Sequence, residues 1–270
     1  MALPALSALA AAGGPVRIAC PAWGEVLYRD LPGDRAGPRA EARPEETAVL
    51  FPPSFRSAWL ARRARRRIGL TTNGRGLLLT DGLEPGSGHR RDDYAALALR
   101  LGLQVEEPPR FRATPAEREA FGGLPVHVGL NPVSRSGPTV EWPFYAELAA
   151  HLREPVRVYA GPGEEAAAAA RVPGVEPLAG LDLGSLAGAL ARCRVLVSND
   201  TGVAHFAAAC GTRVVVIHGS TTALRTGPAG SKAVEGPDLP CRPCYRKRCP
   251  HPGVPCLSGI LPERVWEALR

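Results

Sequence analysis

Runs of valine, isoleucine and leucine alternate with helical patterns along this sequence, and that alternation constrains the fold more than any other feature. The runs are short, are bounded by Pro and Gly, and cover residues 15–20, 47–51, 125–130, 155–161, 193–198 and 212–219. Unbroken apolar runs of this length suit parallel strands covered on both faces. Helical patterns lie between them, as at residues 92–102 and 142–152. The sequence therefore predicts an α/β fold with two doubly wound, Rossmann-like parallel sheets.

Two domains are expected from a chain of 270 residues, because a single core rarely grows beyond about 250–300 residues. Prolines, charges and a Gly pair interrupt the strand pattern between residues 108 and 125, which places the predicted domains at 1–122 and 123–270. The first domain opens on a helical pattern, and residues 31–46 read as a linker rich in Pro, Gly and charge. We therefore expect the first domain to be incomplete and to lack its first strand.

The apolar N-terminus resembles a signal peptide in composition only. It has no positively charged start, and Pro4 interrupts it, so we interpret it as a helix of the fold. No apolar run is long enough to span a membrane. Seven cysteines without a secretion signal favour a cytoplasmic, reducing location.

The net charge of +7 and the pI near 9.3 favour anionic partners such as phosphates, anionic lipid or nucleic acid. The densest basic cluster is the arginine run of residues 62–67, and a solvated helix end is its alternative explanation. Nucleic acid is the least favoured partner, because no basic strand with interleaved aromatic residues is present.

One short stretch, SNDTGVAHFAAACG at residues 198–211, predicts an anion site. It follows a strand, and ligands of open parallel sheets bind beyond the carboxyl ends of the strands. Asp200 or Thr201 would begin a helix, Gly202 would let the first-turn amides face outward, and His205 would lie one turn further on the same face. The alternative is a plain helix cap with a satisfied core histidine, which the spacing alone does not exclude.

Several segments together resemble family 9 glycosyltransferases, the ADP-heptose:lipopolysaccharide heptosyltransferases, and are most similar to the heptosyltransferase II branch. The segments are residues 198–222, the SFRS and RIG…GRG…LLTD stretch of residues 48–83, the GLNPVSRSGPTVEWP stretch, YAGPGEE and the cysteine-bearing tail. The resemblance covers nearly the whole chain. It implies a GT-B fold, with ADP-heptose as the donor substrate bound in the C-terminal domain and a metal-independent inverting displacement, so no catalytic metal is expected.

Carried over by position, the resemblance also assigns site residues. Asp200, Thr201, Gly202 and His205 would line the diphosphate, Glu164 would hold the ribose, and a first loop containing Ser134 and Ser136 would face the phosphates. The alternative for Glu164 is an acid favoured by a helix dipole. Arginines of the first domain are candidates to meet an anionic lipid acceptor, namely Arg56, Arg62 and Arg75.

Two departures from the family pattern concern catalysis. The family's general base lies in a Gly-Asp turn after its first strand, and no residue of this sequence matches that turn, so the catalytic residue is left unassigned. The family also has a lysine before its Arg-Trp-Pro or His-Trp-Pro, where this sequence has Val140 and Glu141. A lysine would offset charge on the leaving diphosphate, and valine cannot.

Four cysteines fall within a short proline-rich segment, at Cys241, Cys244, Cys249 and Cys256. Four thiolates can satisfy structural zinc, although the spacing is not that of a zinc ribbon. His251 could replace one ligand, and a free-thiol loop or two disulfides are the alternatives.

The predicted function is the transfer of heptose from ADP-heptose to the lipopolysaccharide inner core. The predicted partners are ADP-heptose, a lipid A-inner-core acceptor and the anionic inner membrane at its cytoplasmic face, with no nucleic acid. The alternative is a catalytically impaired nucleotide-binding protein with a scaffold role.

Overall fold

The computed structural model describes residues 3–105 and 111–270. The chain divides into two compact units, Met1–Pro109 and Arg110–Arg270. Each unit is built from parallel strands and helices, in agreement with the predicted α/β class.

The first unit contains two small parallel sheets. Its elements in chain order are α1 (Leu3–Ala11), β1 (Arg17–Ala19), β2 (Asp34–Ala36), β3 (Thr47–Leu50), α2 (Phe55–Leu60), β4 (Arg66–Leu70), β5 (Asp81–Leu83) and α3 (Arg90–Leu99). Strand β1 pairs with β2, and β3, β4 and β5 form the second sheet in that order. Two 3-10 helices, Ala22–Tyr28 and Arg75–Leu78, complete the unit.

The structure confirms the predicted N-terminal helix, the strands predicted within residues 15–20 and 47–51, and the helix predicted at residues 92–102, which begins two residues earlier. It differs from the prediction within residues 31–46, where β2 replaces part of the expected linker. This strand has three partly or fully exposed residues, Asp34, Arg35 and Ala36, and so carries no apolar pattern to find. The unit therefore has two sheets in place of the single predicted one.

The second unit is a doubly wound sheet. Its elements are α4 (Pro115–Glu119), β6 (His127–Asn131), α5 (Tyr145–His151), β7 (Val156–Ala160), α6 (Glu165–Arg171), β8 (Pro177–Ala179), α7 (Leu183–Leu190), β9 (Cys193–Asn199), α8 (Gly202–Ala209), β10 (Arg213–His218), α9 (Ala223–Thr226), β11 (Lys232–Glu235), α10 (Pro255–Ser258) and α11 (Pro262–Leu269). The six strands are all parallel, in the order β11-β10-β9-β6-β7-β8.

The main core lies on one face of this sheet. Alternate residues of β6, β9 and β10 point to that face and are fully buried against residues of α5, α6 and α11, as the two-residue period of a strand requires. Trp142 anchors the region before α5, since its indole Nε1 donates to the Ile260 carbonyl at 2.7 Å. Burial of a side chain this large is worth several kcal/mol, of order 3–5 for truncation to alanine.

The division between the units lies before the predicted boundary at residues 122 and 123. Helix α4 belongs to the second unit because it lies against α7, so close that a Cβ on Gly188 would collide with the Glu117 carbonyl. The Phe111 ring also lies 5.0 Å from the Phe206 ring of α8, centroid to centroid. Residues 111–122 therefore pack on the second sheet.

Candidate functional site

The candidate site lies at one edge of the second sheet, where β6 and β9 end side by side. From β6 the chain continues through β7 and β8 to one side, and from β9 it continues through β10 and β11 to the other. The loops after β6 and β9 therefore diverge and leave a crevice between them. Such a switch point is where open α/β sheets bind their ligands.

A buried network of polar side chains fixes the geometry of this edge. The Asn131 Oδ1 accepts hydrogen bonds from Ser198 Oγ at 3.1 Å and from Thr201 Oγ1 at 2.9 Å. The Asn199 Oδ1 accepts from the Trp142 amide at 3.0 Å and from the Tyr145 hydroxyl at 3.2 Å. The ends of β6 and β9 and the start of α5 are thereby held in one rigid unit.

Helix α8 begins at this edge with an uncapped N-terminus. Thr201 is its N-cap residue, but its side chain makes no cap hydrogen bond and donates to Asn131 instead. Gly202, the first helical residue, is exposed. First-turn amides have no partner within a helix, and together with the helix dipole they favour an anion. The structure therefore contradicts the simple helix-cap alternative.

Gly202 has no structural reason to be glycine. Its φ is not in the left-handed range, and a Cβ added to it would meet nothing within 4 Å. The Cα–Cβ bond of a helical residue tilts toward the helix N-terminus. A side chain here would therefore extend into the space where an anion would sit on the amides.

Asp200 lies behind the helix start and is almost buried. Its Oδ2 accepts from Thr226 Oγ1 at 2.6 Å, and His218 Nδ1 lies 3.6 Å from the same oxygen. Burial raises the pKa of the Asp200 carboxyl, but contacts with His218, Thr226 and Thr221 outweigh burial and leave the pKa below its usual value. The group is therefore a carboxylate at neutral pH.

His205 lies one turn into α8 and is partly exposed. Its Nε2 is 4.0 Å from Asp200 Oδ1. Asp200 and His205 thus lie together at the edge as the sequence predicts, with the carboxylate facing the imidazole.

The loop after β6 contributes the two predicted serines. The Ser134 amide donates to Glu141 Oε1 at 2.9 Å, and the Ser134 Oγ accepts from the Ser136 amide at 3.1 Å. Glu141 is held in turn by Arg171 of α6, with 2.8 Å between Nη2 and Oε2. Val140, where the family has lysine, is buried and presents no charge.

Glu164 lies on the next loop, directly before α6. Its Oε2 accepts from the Gly161 amide at 2.9 Å, and its Oε1 is 3.9 Å from the Nε of the exposed Arg135. One carboxylate oxygen thus closes the local turn, and the side chain makes no cap hydrogen bond to α6. The other faces the loop of Ser134 and Ser136.

The four cysteines line one cavity of about 120 Å³ together with Thr139, Ser220 and His251. All four are free thiols, and Cys256 is buried while Cys241 is exposed. Burial and the neighbouring thiols raise the pKa of Cys256. Among the described residues, no three His, Cys, Asp or Glu side chains converge closely enough to hold a metal ion. The thiols therefore share a cavity without forming a metal site as they stand.

The cysteine segment supports the loops of the site through Arg242. The Arg242 guanidinium donates to the Gly219 carbonyl at 2.6 Å, to the His218 carbonyl at 3.3 Å and to Glu235 Oε2 at 3.2 Å. The Cys244 amide donates to the Ser220 carbonyl at 3.0 Å. This segment therefore braces the turn that follows β10.

The three arginines predicted to meet an acceptor differ in their surroundings. Arg56 is exposed, and Arg62 is partly exposed with its guanidinium 4.7 Å from the Trp59 ring centroid. Arg75 is fully buried, and its guanidinium donates to the Leu70 carbonyl at 2.7 Å and to Ser57 Oγ at 3.0 Å. Burial and these bonds give Arg75 a structural role, which disagrees with the prediction that it contacts an acceptor.

Sequence reasoning missed several residues of the edge. Asn131, Thr226 and His218 hold Thr201 and Asp200 in place, and His218 is fully buried. The one signal in the sequence for this network was Asn131, a polar residue at the end of the β6 strand. The partners of Asp200 lie on later elements and follow only from the fold.

Comparisons with known proteins decide the family. The family described as "Glycosyltransferase family 9 (heptosyltransferase)" matches residues 43–254, which is most of the chain. The chain belongs to glycosyltransferase family 9. Its fold agrees with that of the Escherichia coli ADP-heptose lipopolysaccharide heptosyltransferase II, with a TM-score of 0.76, 20% identity, and coverage of 100% of this chain and 93% of that one. The E. coli heptosyltransferase WaaC with ADP gives a TM-score of 0.69 at 18% identity, covering 98% of this chain and 91% of that one.

Curated relatives are similar over shorter segments. The lipopolysaccharide heptosyltransferase 1 of Pseudomonas aeruginosa is 38% identical over 121 residues, 41% of this chain and 34% of the relative. The lipooligosaccharide heptosyltransferase 2 of Campylobacter jejuni serotype O:2 is 35% identical over 81 residues, 29% of this chain and 25% of the relative. The chain thus spans about a quarter to a third of the length of these curated relatives. None of the helices in the described residues is both long and apolar enough to cross a membrane.

Proposed function

We propose that this family 9 member binds ADP-heptose at the start of α8 and transfers the heptose to the lipopolysaccharide inner core. The observation that carries the proposal is the uncapped, exposed N-terminus of α8 at the switch point of the sheet. Phosphate is the ligand that most often binds at such a helix N-terminus. The family membership and the names of the relatives supply the donor and the acceptor class.

The phosphates would sit on the amides of the first turn of α8, with Gly202 allowing their close approach. His205, whose Nε2 lies 4.0 Å from Asp200 Oδ1, would donate to a phosphate oxygen. Asp200 would itself repel a diphosphate at contact distance. We therefore assign Asp200 to holding His205 and Thr226 in place, while Thr201 maintains the loop through Asn131.

The loops after β6 and β7 would complete the donor site. Ser134 and Ser136 lie on the first loop and would face the phosphates, and Glu164 on the second would accept hydrogen bonds from the ribose hydroxyls. Glu164 retains one oxygen that faces the first loop, which suits this role. Glu141 and Arg171 fix the first loop and would keep the serines oriented.

Charge on the leaving diphosphate would be met by the α8 amides and His205, because Val140 offers no cation at the usual lysine position. The acceptor would approach the first unit at Arg56 and Arg62, which remain accessible, whereas Arg75 does not. We further propose that the protein works at the cytoplasmic face of the inner membrane, since its acceptor is a lipid-anchored, anionic glycan.

The test is a transfer assay with ADP-heptose and a lipid A-inner-core acceptor. Release of ADP and a mass increase of one heptose on the acceptor are expected, and a reaction without acceptor measures hydrolysis. Tight ADP binding without any transfer would indicate the non-catalytic role in place of the enzyme. Failure to bind ADP would refute the donor site itself.

Structural zinc in the cysteine segment remains a separate prediction. The shared cavity of the four thiols supports it, but the thiols would have to move closer together to bind one ion. Metal analysis of the purified protein before and after dialysis against a chelator tests the prediction, and protein without zinc or iron would refute it.

A further inference from the structure

An exposed surface of the first unit combines protruding apolar side chains with arginine. We define the arginine-aromatic surface as Phe55 and Trp59 of α2, Leu77 of the 3-10 helix Arg75–Leu78, and the neighbouring Arg56 and Arg62. We propose that this surface docks the protein on an anionic lipid bilayer. The proposal rests on the proposed function, whose acceptor is a membrane lipid, and it names the surface that meets the membrane.

The apolar members are unusually exposed for their size. Phe55 and Trp59 are each 50% exposed, and Leu77 is 98% exposed. Phe55 and Trp59 are four residues apart on α2 and so lie on one face of the helix. Ala58 of α2, by contrast, is fully buried in the core. The aromatic face is thus separate from the face that packs inward.

Side-chain hydrogen bonds connect the two parts of the surface. The 3-10 helix that carries Leu77 contacts α2. Arg75, at the start of that helix, donates to Ser57 Oγ of α2 at 3.0 Å, and the Asn73 Nδ2 donates to the Pro53 carbonyl at 2.6 Å. The apolar side chains are therefore presented on a fixed backbone, which lowers the entropy cost of docking.

The positive charge of this region indicates that its partner is anionic. Residues 47–80 contain seven arginines and no acidic residue. Arg56 and Arg65 are exposed and have no ion-pair partner among the described residues, whereas Arg62 and Arg63 share Glu41 at 3.1 and 3.7 Å. The Arg62 guanidinium also lies over the Trp59 ring. Positive charge beside exposed aromatic and leucine side chains fits the boundary between headgroups and acyl chains of an anionic bilayer.

The experiment is cosedimentation of the full chain with vesicles of phosphatidylglycerol and phosphatidylcholine, and with vesicles of phosphatidylcholine alone. We expect binding to the anionic vesicles that weakens with salt, and several-fold weaker binding to the neutral ones. Leu77→Ser and Trp59→Ser should each lower the partition coefficient roughly tenfold. Arg56→Gln should lower it about fivefold, the equivalent of about 1 kcal/mol for one arginine near the surface.

Two matched controls separate docking from general loss of apolar surface. Trp23 of the first unit is 69% exposed and Leu224 of the second unit is 72% exposed, and neither belongs to the arginine-aromatic surface. Trp23→Ser and Leu224→Ser should leave the partition coefficient unchanged. Because Leu77 is almost fully exposed, its substitution should also leave the melting temperature unchanged.

Three results would overturn the proposal. Equal binding to both kinds of vesicle would refute the charge argument. If Arg56→Gln lost binding while Leu77→Ser and Trp59→Ser kept it, the arginines alone would attract the lipid. They would then attract any other polyanion in the same way. A dimer in sedimentation that the Leu77→Ser variant abolishes would show that a second copy occupies the surface. The vesicles contain no glycan acceptor and no nucleotide, so failure of ADP binding would refute the proposed function without affecting this result.

Discussion

Replacement of Gly202 by alanine separates folding from binding at the candidate site. The fold does not require glycine here, because the φ of Gly202 is not left-handed and the added Cβ meets nothing within 4 Å. Alanine is a better helix former than glycine, so Gly202→Ala should raise the free energy of unfolding by up to about 1 kcal/mol. We therefore expect the Gly202→Ala protein to fold and to be at least as stable as the unaltered protein.

The same substitution should weaken ADP binding. The new methyl group would tilt toward the helix N-terminus, where the diphosphate would rest on the first-turn amides. Displacing the phosphate by the width of a methyl group would lengthen at least one charge-assisted hydrogen bond, each worth roughly 1.5–3 kcal/mol. We expect a loss of affinity of at least about tenfold, the equivalent of about 1.4 kcal/mol.

Isothermal titration with ADP and a thermal melt of the same sample measure both effects. Gly123 is a matched control, since it is exposed, precedes β6 at the opposite end of that strand, and also has nothing within 4 Å of an added Cβ. Gly123→Ala should bind ADP as the unaltered protein does. Unchanged ADP affinity in a folded Gly202→Ala protein would refute the idea that phosphate sits on the α8 amides.

Three further substitutions test the interactions that hold the structure. Thr226→Val should raise the pKa of Asp200 and lower the free energy of unfolding by about 1.5–3 kcal/mol at pH 7. The lowered pKa of Asp200 stabilises the fold only while the carboxyl is ionised. Urea titrations should therefore show the difference in stability between the variant and the unaltered protein shrinking as the pH falls through the folded-state pKa. Arg66→Ala should raise the pKa of Asp81 from about 2 toward its usual value, which an NMR pH titration of the Asp81 carboxyl would detect, and an unchanged pKa would contradict the pairing. Arg75→Leu should lower the melting temperature markedly, since it removes hydrogen bonds to the Leu70 and Leu50 carbonyls and to Ser57 Oγ; an unchanged melting temperature would contradict the structural role of Arg75.

The central strands of the second unit could be predicted from the sequence because each contains an unbroken apolar stretch bounded by turn residues. Strands β6, β9 and β10 are buried over nearly their whole length, and their central residues are apolar or glycine while polar residues lie toward the strand ends. Strands β8 and β11 have only three or four residues each and lie at the edges of the sheet, where exposure removes the pattern. The sequence therefore indicates the core of a sheet better than its margins.

The candidate site was predictable in position but not in its bonding. The stretch from Asp200 to His205 follows a strand and precedes a helix, which local pattern can reveal. That Thr201 bonds to Asn131 and leaves the helix uncapped depends on two residues that are 70 positions apart. Likewise, nothing in the local sequence distinguishes the buried Arg75 from the exposed Arg56, because burial follows from packing of α2 on a distant turn.

We claim that the start of α8 binds the diphosphate of a nucleotide, and parallel titrations with ADP and adenosine measure the contribution of that diphosphate. Both ligands share the base and the ribose, so the difference in their affinities reports the diphosphate alone. We predict that ADP binds at least about tenfold more tightly than adenosine and that the ratio falls in Gly202→Ala. Equal affinities for ADP and adenosine in the folded protein would contradict the claim.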